Sequence, residues 1–363
     1  MNFLTLRQDY LKDIAISCWH MRFLSVIGTR PQLVKLKPII QAFDSVGAEH
    51  EYIDTGQHYD AALSTDLIED LCLPKPIMNL QVREFSQSSQ IGSALVRIDS
   101  ALEDLQPDWV LVYGDTNSTL AAAIASVKKG FRVAHVESGL RSGNMKMSEE
   151  QNRIMVDHIS SALFAPTQRA VDNLRREGLA DRSLLVGDVM FDLIKYYERE
   201  SLLKIDRSDS FLLCTLHRAE NVDDKQRLES ILQALRAISL KVILVTHPRL
   251  KKRMSDFQLK FPSNLEICDP MTHTKICGML ASSKGLITDS GGLQKEAFML
   301  GIPTTTLRNE TEWPETLSSN LNMLLTDLTK LAEVSLRGCE AEASSPFGNG
   351  EAATRIVSHL LRH

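Results

Sequence analysis

Three carboxylates in the first half of the chain stand where proton-transfer chemistry would need them. They are Asp115 in Tyr113-Gly114-Asp115-Thr116-Asn117, Glu137 in His135-Val136-Glu137-Ser138-Gly139, and Glu149 in Ser148-Glu149-Glu150-Gln151-Asn152-Arg153. Asp115 and Glu137 each follow an apolar run that reads as a buried strand, so neighbouring strands would aim both at one pocket. Glu149 opens a helix behind a polar loop, 141–148, that is long enough to fold over such a pocket. Buried carboxylates grouped together split their pKa values, which supplies an acid and a base near neutral pH. Asp115 and Glu149 also suit helix capping and dipole compensation, a cap contributing about 0.5–2 kcal/mol. Glu137 has no such structural duty, since it closes an apolar strand and precedes Ser-Gly.

The second half carries a different chemistry. Thr288-Asp289-Ser290-Gly291-Gly292 follows a strand and opens a helix, with Ser290 as the cap and Gly291 and Gly292 leaving backbone N–H groups approachable. A helix N-terminus of that kind binds anions through its dipole and its unpaired donors. Glu296, one to two turns in, is placed to hold a ribose diol. Capping and close helix–sheet packing would also explain these residues. The basic groups Arg30, Lys35, His217, Arg218 and His247, at other strand ends, favour an anion. Alone, His217 would be a packing residue; with Arg218 and Asn221 beside it, it reads as a diphosphate or leaving-group contact.

These residues need a scaffold that gathers strand ends. Short apolar runs alternate with amphipathic stretches from residue 22 onward. Strands are expected at 22–27, 51–54, 109–113, 132–136, 162–165 and 183–186, with helices such as 117–129 and 149–161 between them. The pattern restarts with strands at 211–215, 241–246, 265–267, 285–288 and 304–307. Alternation of this kind predicts parallel sheets covered on both faces, in an α/β fold of two Rossmann-like domains flanking a cleft. The expected divisions are an N-terminal extension at 1–20, a first domain at 21–193 with the acid–base residues, a second at 194–345 with the anion site, and a helical segment at 346–363 that returns across the hinge. The charged, irregular stretch 191–210 places that hinge near 189–193. Arg30, Gln57, Asp115, Glu137, His217, His247 and Ser290 all come just after expected strands, where open α/β sheets bind ligands.

Composition narrows the class. A chain of 363 residues, 43% hydrophobic and 24% charged, suits two globular domains. Its net charge of −5 gives no electrostatic case for nucleic acid or an anionic membrane. No apolar run approaches the ~18 residues that span a bilayer. Cys18, Cys72, Cys214, Cys268, Cys277 and Cys339 form no C-x-x-C pair, which argues against zinc or a disulfide scaffold and fits a reducing cytoplasm. Residues 1–20 hold Arg7, Asp9, Lys12 and Asp13 and so lack a signal-peptide core; Met21 is read as the start of the folded chain, with a loose or non-native arm before it. The sequence has no G-x-G-x-x-G, G-K-[ST], H-E-x-x-H or G-x-S-x-G, and His135-x-Glu137 lacks a P-C-x-x-C partner. A reaction on a phosphorylated ligand with neither cofactor nor metal is the expectation.

Seven motifs in one order, from Met21 to about residue 360, resemble the non-hydrolysing UDP-N-acetylglucosamine 2-epimerases. They are Gly28-Thr29-Arg30-Pro31 with Lys35, Thr55-Gly56-Gln57-His58, Gly114-Asp115-Thr116, Val136-Glu137 with Gly139-Leu140-Arg141, Glu149-Glu150 with Asn152-Arg153, His217-Arg218 with Glu220-Asn221, and Asp289-Ser290-Gly291-Gly292 with Glu296. The resemblance implies a glycosyltransferase-B-like fold, a homodimer and a UDP-sugar substrate. It implies proton transfer by Asp115, Glu137 and Glu149, with His217, Ser290, Gly291 and Glu296 on UDP. Arg30, Lys35, Gln57, Arg141, Arg153, His247 and Gly292 join the expected site on the same footing. Trp313 stands where many relatives have arginine in T-E-R-P-E, and Ser148 replaces a proline. Tyr59-Asp60 put allosteric control in doubt. Gln32, Asn144-Met145-Lys146-Met147 and Gly187-Asp188-Val189-Met190 look closer to the branch acting on UDP-2,3-diacetamido-2,3-dideoxyglucuronate, for which Lys146 is the candidate carboxylate partner. Rival readings are a retaining glycosyltransferase, a hydrolysing epimerase and a sugar-nucleotide sensor.

Overall fold

Five consecutive buried residues make β1, Phe23–Ile27, a strand covered on both faces. The computed structural model describes residues 21–57, 61–84, 86–205, 207, 209–317, 320–338 and 345–363; the expectations for residues 1–20, His58 and Tyr59-Asp60 fall outside them. The chain divides into two units, one of residues up to Leu193 together with Pro346–His363, the other Ile194–Ser345.

In the first unit β2 (His50–Asp54), β3 (Met78–Asn79), β4 (Trp109–Tyr113), β5 (Arg132–Val136), β6 (Ala162–Ala165) and β7 (Ser183–Leu185) join β1 in the order β3-β2-β1-β4-β5-β6-β7. In the second, β8 (Phe211–Leu216), β9 (Lys241–Thr246), β10 (Leu265–Cys268), β11 (Leu286–Thr288), β12 (Thr304–Thr306) and β13 (Asn322–Leu324) run β10-β9-β8-β11-β12-β13. Every pairing described is parallel. Each sheet reverses its winding once, between β1 and β4 and between β8 and β11. The carboxyl ends of those strand pairs are where doubly wound sheets admit ligands. The edge strands β3 and β13 escape the sequence reading, being two and three residues long and too short to show a period.

Small side chains set the spacing behind the first sheet. Ala121, Ala122 and Ala125 of helix Asn117–Lys128 share one core with Ala94, Ile98, Ala101 and Leu102 of helix Gln87–Leu105. The C-terminal helix, Ala352–Leu360, packs on helix Arg30–Val46. The Asp192 carboxylate caps its start, accepting from the Ala352 N–H at 3.0 Å and the Ala353 N–H at 2.7 Å. One expectation is corrected. The stretch read as an irregular hinge contains a helix, Val189–Arg199, and the division between the units falls inside it. Its charges, such as Lys195 and Glu198 at 2.7 Å, occupy the outer face, while Val189, Met190, Leu193, Ile194 and Tyr197 are buried at helical spacing.

One polar residue interrupts β1. Ser25 is fully buried, and its hydroxyl lies 2.8 Å from His50 Nε2 and 2.6 Å from the Tyr113 hydroxyl, tying three strands together. The His50 ring stacks on Phe43 with centroids 4.6 Å apart. Burial pushes the His50 pKa down to about 3 from 6.5. The unfolded chain therefore takes up a proton between these values and the native chain does not, so stability falls as pH drops below 6.5. We expect urea midpoints measured between pH 8 and pH 4.5 to show this, with a slope in His50→Phe shallower by up to about 1.4 kcal/mol per pH unit. Parallel curves for the two proteins would show that His50 is not the group responsible.

Candidate active site

The turn after β1 is fixed by contacts that need glycine. A Cβ on Gly28 would lie 2.2 Å from Thr55 Oγ1 and 2.3 Å from Ser118 Oγ. Gln32 Oε1 accepts from the N–H groups of Gly28 (2.8 Å) and Thr29 (3.1 Å), and its Nε2 donates to the Tyr113 carbonyl at 2.7 Å. One buried amide thus pins the end of β1 to the end of β4. Arg30 begins the following helix and Lys35 lies further along it, where its ammonium pairs with the Glu137 carboxylate.

At the end of β4, Gly114 has φ +63°, and Thr116 caps helix Asn117–Lys128 by accepting from the Thr119 N–H. Asp115 is therefore not the cap, which corrects the structural alternative raised for it. Its carboxylate meets the Arg153 guanidinium instead. Burial holds the Asp115 pKa above the ordinary aspartate value; Arg153 and Lys35 pull it down, while Glu137 and Glu149 push it up. Those four groups are the charges that act on Asp115, so the structure gathers Asp115, Glu137, Lys35 and Arg153 at the switch point, with Glu149 near enough to be felt.

Glu137 is the backbone outlier of this group. Its φ is +69°, a left-handed conformation that costs a non-glycine residue roughly 1–2 kcal/mol. The N–H groups of Glu137 and Ser138 both donate to the Phe164 carbonyl at 3.1 Å, which holds the turn in place. Strain maintained at a strand end, beside a buried ion pair, marks a position kept for function.

Of the two glutamates opening helix Ser148–Ile159, Glu150 is the structural one. It accepts from the N–H groups of Ser142 and Gly143, both at 2.9 Å, and from Arg153 at 3.0 Å, staples that fold loop 141–148. Glu149 is exposed, as is Lys146 on the loop. Two expected ligand contacts are committed to the protein itself. Arg141 pairs with Asp157 at 2.8 Å and grips Glu177 through two nitrogens, each at 2.7 Å. Gln57 Oε1 accepts from the Ser118 hydroxyl at 2.6 Å and from its N–H at 3.2 Å. Buried Asp157 also meets His135 Nδ1 at 2.7 Å, and His135 Nε2 reaches the Gly114 carbonyl at 2.8 Å. Sequence reading missed that brace of the Asp115 turn.

The second unit repeats the logic with opposite charge. Asp289 is fully buried at the end of β11. It accepts from the N–H groups of His217 (3.1 Å) and Arg218 (3.0 Å), and lies 3.0 Å from His217 Nδ1. Burial opposes its charge, but His217 and the neighbouring donors prevail and hold its pKa below the usual carboxylate range. The aspartate therefore orients His217. The His247 ring lies 5.5 Å from the His217 ring, and its Nδ1 accepts from the Arg249 N–H. Ser290 caps helix Gly291–Met299, its hydroxyl accepting from the Leu293 N–H at 3.3 Å. Gly292 faces open space, whereas a Cβ on Gly291 would lie 2.1 Å from Glu312 Oε1. Gly291 is thus a position where a side chain would displace Glu312. Glu312 is held by Arg308 at 2.7 Å and Arg218 at 3.6 Å. Trp313 is buried beneath Lys295, whose ammonium lies 3.9 Å from its ring centroid. Glu296, buried in the same helix, meets His273 Nε2 at 3.1 Å, with Cys277 alongside. A search for paired cysteines overlooks this mixed group. The signal was the i, i+4 spacing of His273 and Cys277.

A family model described as UDP-N-acetylglucosamine 2-epimerase matches residues 41–361. The chain belongs to the UDP-N-acetylglucosamine 2-epimerase family. It is 38% identical over 362 residues to a UDP-N-acetylglucosamine 2-epimerase of Methanocaldococcus jannaschii, covering 94% of this chain and 99% of that one. It is 39% identical over 355 residues to the UDP-2,3-diacetamido-2,3-dideoxy-D-glucuronate 2-epimerase of Pseudomonas aeruginosa, covering 94% and 100%. The crystal structure of the Methanocaldococcus jannaschii enzyme with UDP-GlcNAc and UDP superposes with a TM-score of 0.84 at 38% identity, covering 94% of this chain and all of that one. A spinosyn rhamnosyltransferase at 12% identity, with a TM-score of 0.52, shares the fold. This family member is therefore an isomerase by kinship and glycosyltransferase-B-like in fold. No helix among its described residues is long and apolar enough to cross a membrane.

Proposed function

We propose that the chain interconverts UDP-N-acetylglucosamine and UDP-N-acetylmannosamine by elimination and re-addition of UDP. The observation that carries this reading is the group at the first switch point, where half-buried Asp115 feels Arg153, Lys35, Glu137 and Glu149. C2 of the sugar is not beside a carbonyl, so its proton is not acidic in the ground state. Departure of UDP solves this. The C1–O bond breaks with its electron pair leaving on UDP, the C2 proton passes to a carboxylate, and a C1=C2 glycal forms. UDP then re-adds at C1 as C2 takes a proton on the opposite face. Acid–base groups and leaving-group stabilisation are what such a path requires. Asp115, Glu137 and Glu149 take the first task. His217, Ser290, Gly291, Gly292 and Glu296 take the second, with His217 held by Asp289. Arg30 adds positive charge for the diphosphate, and His247, whose Nδ1 is taken by the Arg249 N–H, offers it a donor at Nε2. A homodimer in the cytoplasm, serving polysaccharide assembly, is the setting that goes with this reading.

The test is turnover in deuterated water with ¹⁸O in the bridge between C1 and phosphorus. We expect deuterium at C2 of both epimers and migration of the label into nonbridging positions. Turnover with the original C2 hydrogen retained would remove the mechanism. Running the diacetamido-glucuronate nucleotide in parallel decides the sugar, because exclusive use of the acid would replace the neutral substrate.

A further inference from the structure

Helix His273–Ser282 starts on a Thr272 cap, whose hydroxyl accepts from the Lys275 N–H. That start places His273 in the first turn and Cys277 four residues on, along the same face. The face meets helix Gly291–Met299, which carries Glu296. His273 Nε2 lies 3.1 Å from Glu296 Oε1 and 3.9 Å from Cys277 Sγ, and one donor atom from each residue falls within 4.8 Å of the others. Cys277 is fully buried, and the His273 and Glu296 side chains are 12% and 7% exposed. The Tyr197 hydroxyl sits 3.0 Å from the other ring nitrogen, Nδ1.

We propose that His273, Cys277 and Glu296 form a three-ligand site for a divalent cation of the zinc class, one that takes up the carboxylate needed by the nucleotide ribose. The last clause rests on the ribose role given to Glu296 above; the cation site does not. A thiolate, an imidazole and a carboxylate together select a borderline-soft metal over magnesium or calcium. Zinc binds sulfur at about 2.3 Å and nitrogen or oxygen at about 2.0–2.2 Å, so a tetrahedral site separates its ligand atoms by roughly 3.3–3.6 Å. The observed 3.1 and 3.9 Å straddle that range, and the three donor atoms lie within 4.8 Å of one another, so a cation would draw the side chains together. With a cation bound, Nδ1–H would donate to the Tyr197 hydroxyl, which fixes the ring tautomer whose Nε2 lone pair meets the cation. Binding releases two protons to solvent, one from the Cys277 thiol and one from His273 Nε2, so affinity rises with pH. Three protein ligands leave one position open.

Cobalt(II) added to the full chain provides the probe. One equivalent per chain should produce a thiolate-to-cobalt charge-transfer band in the near ultraviolet, bleached by zinc(II). Cys277→Ser should abolish the band, and His273→Gln should weaken cobalt binding at least tenfold. A variant with Cys72→Ser and Cys268→Ser should keep the band. No band in the wild-type chain, or a band that survives Cys277→Ser, overturns the site. Excess UDP should lower cobalt affinity. Cobalt binding indifferent to UDP would leave the site standing and overturn the sharing of Glu296 with ribose.

Discussion

Asp115→Asn lowers turnover by roughly 10²–10⁴-fold while the fold survives, the loss expected for a positioned proton-transfer group. The amide keeps the shape of the carboxylate and can still accept from Arg153, so far-ultraviolet circular dichroism and thermal midpoint should change little. Glu137→Gln should show a similar loss, for a second reason as well, since the Lys35 ammonium loses its counter-charge. Glu149→Gln tests the third member, which is exposed at the start of its helix. Deuterium wash-in at C2 separates the roles, because a base for one epimer should lose exchange from that epimer first. Near-normal rates for all three folded variants would refute the acid–base assignment.

Arg153→Gln should act on both stability and pH dependence. The guanidinium is nearly buried and serves Asp115 and Glu150 at once. Removing one partner of a buried ion pair leaves an uncompensated charge, costing about 3–5 kcal/mol. Urea unfolding at neutral pH should register that loss. The activity profile should move too. Burial already raises the Asp115 pKa, and Arg153 is the strongest of the groups that pull it down. Without Arg153 the value climbs further, so the limb of the kcat/KM profile that belongs to Asp115 shifts to higher pH. An unmoved profile in a folded variant would show that Asp115 is not a titrating group of the reaction.

Most strands were legible because each is a short apolar run closed by a turn, and the ends of those runs carry most of the candidate site. Ser290 illustrates the success, as a strand–Ser–Gly–Gly–helix pattern admits few other local structures, and its hydroxyl does cap the helix. Glu137 was singled out for lacking a structural excuse, and the left-handed backbone there gives that intuition a physical form. What escaped was pairing over distance. Nothing near Arg141 reveals that Glu177 will take its guanidinium, or that Asp289 will orient a histidine 72 positions earlier. A charged side chain announces its sign but not its direction. The helix Val189–Arg199 was missed for a related reason, as its charged outer face masked the apolar one.

The C-terminal helix has a bearing on the order in which this protein is made. The first unit is written in two pieces, and its last piece, Pro346–His363, follows the whole of the second unit in the chain. A ribosome therefore delivers residues 194–345 while the surface of helix Arg30–Val46 that Ala352–Leu360 covers still lies bare. Domains usually mature in the order of synthesis. Here the later one can finish first, and the earlier one waits, with its apolar seam open, until residues 346–363 emerge.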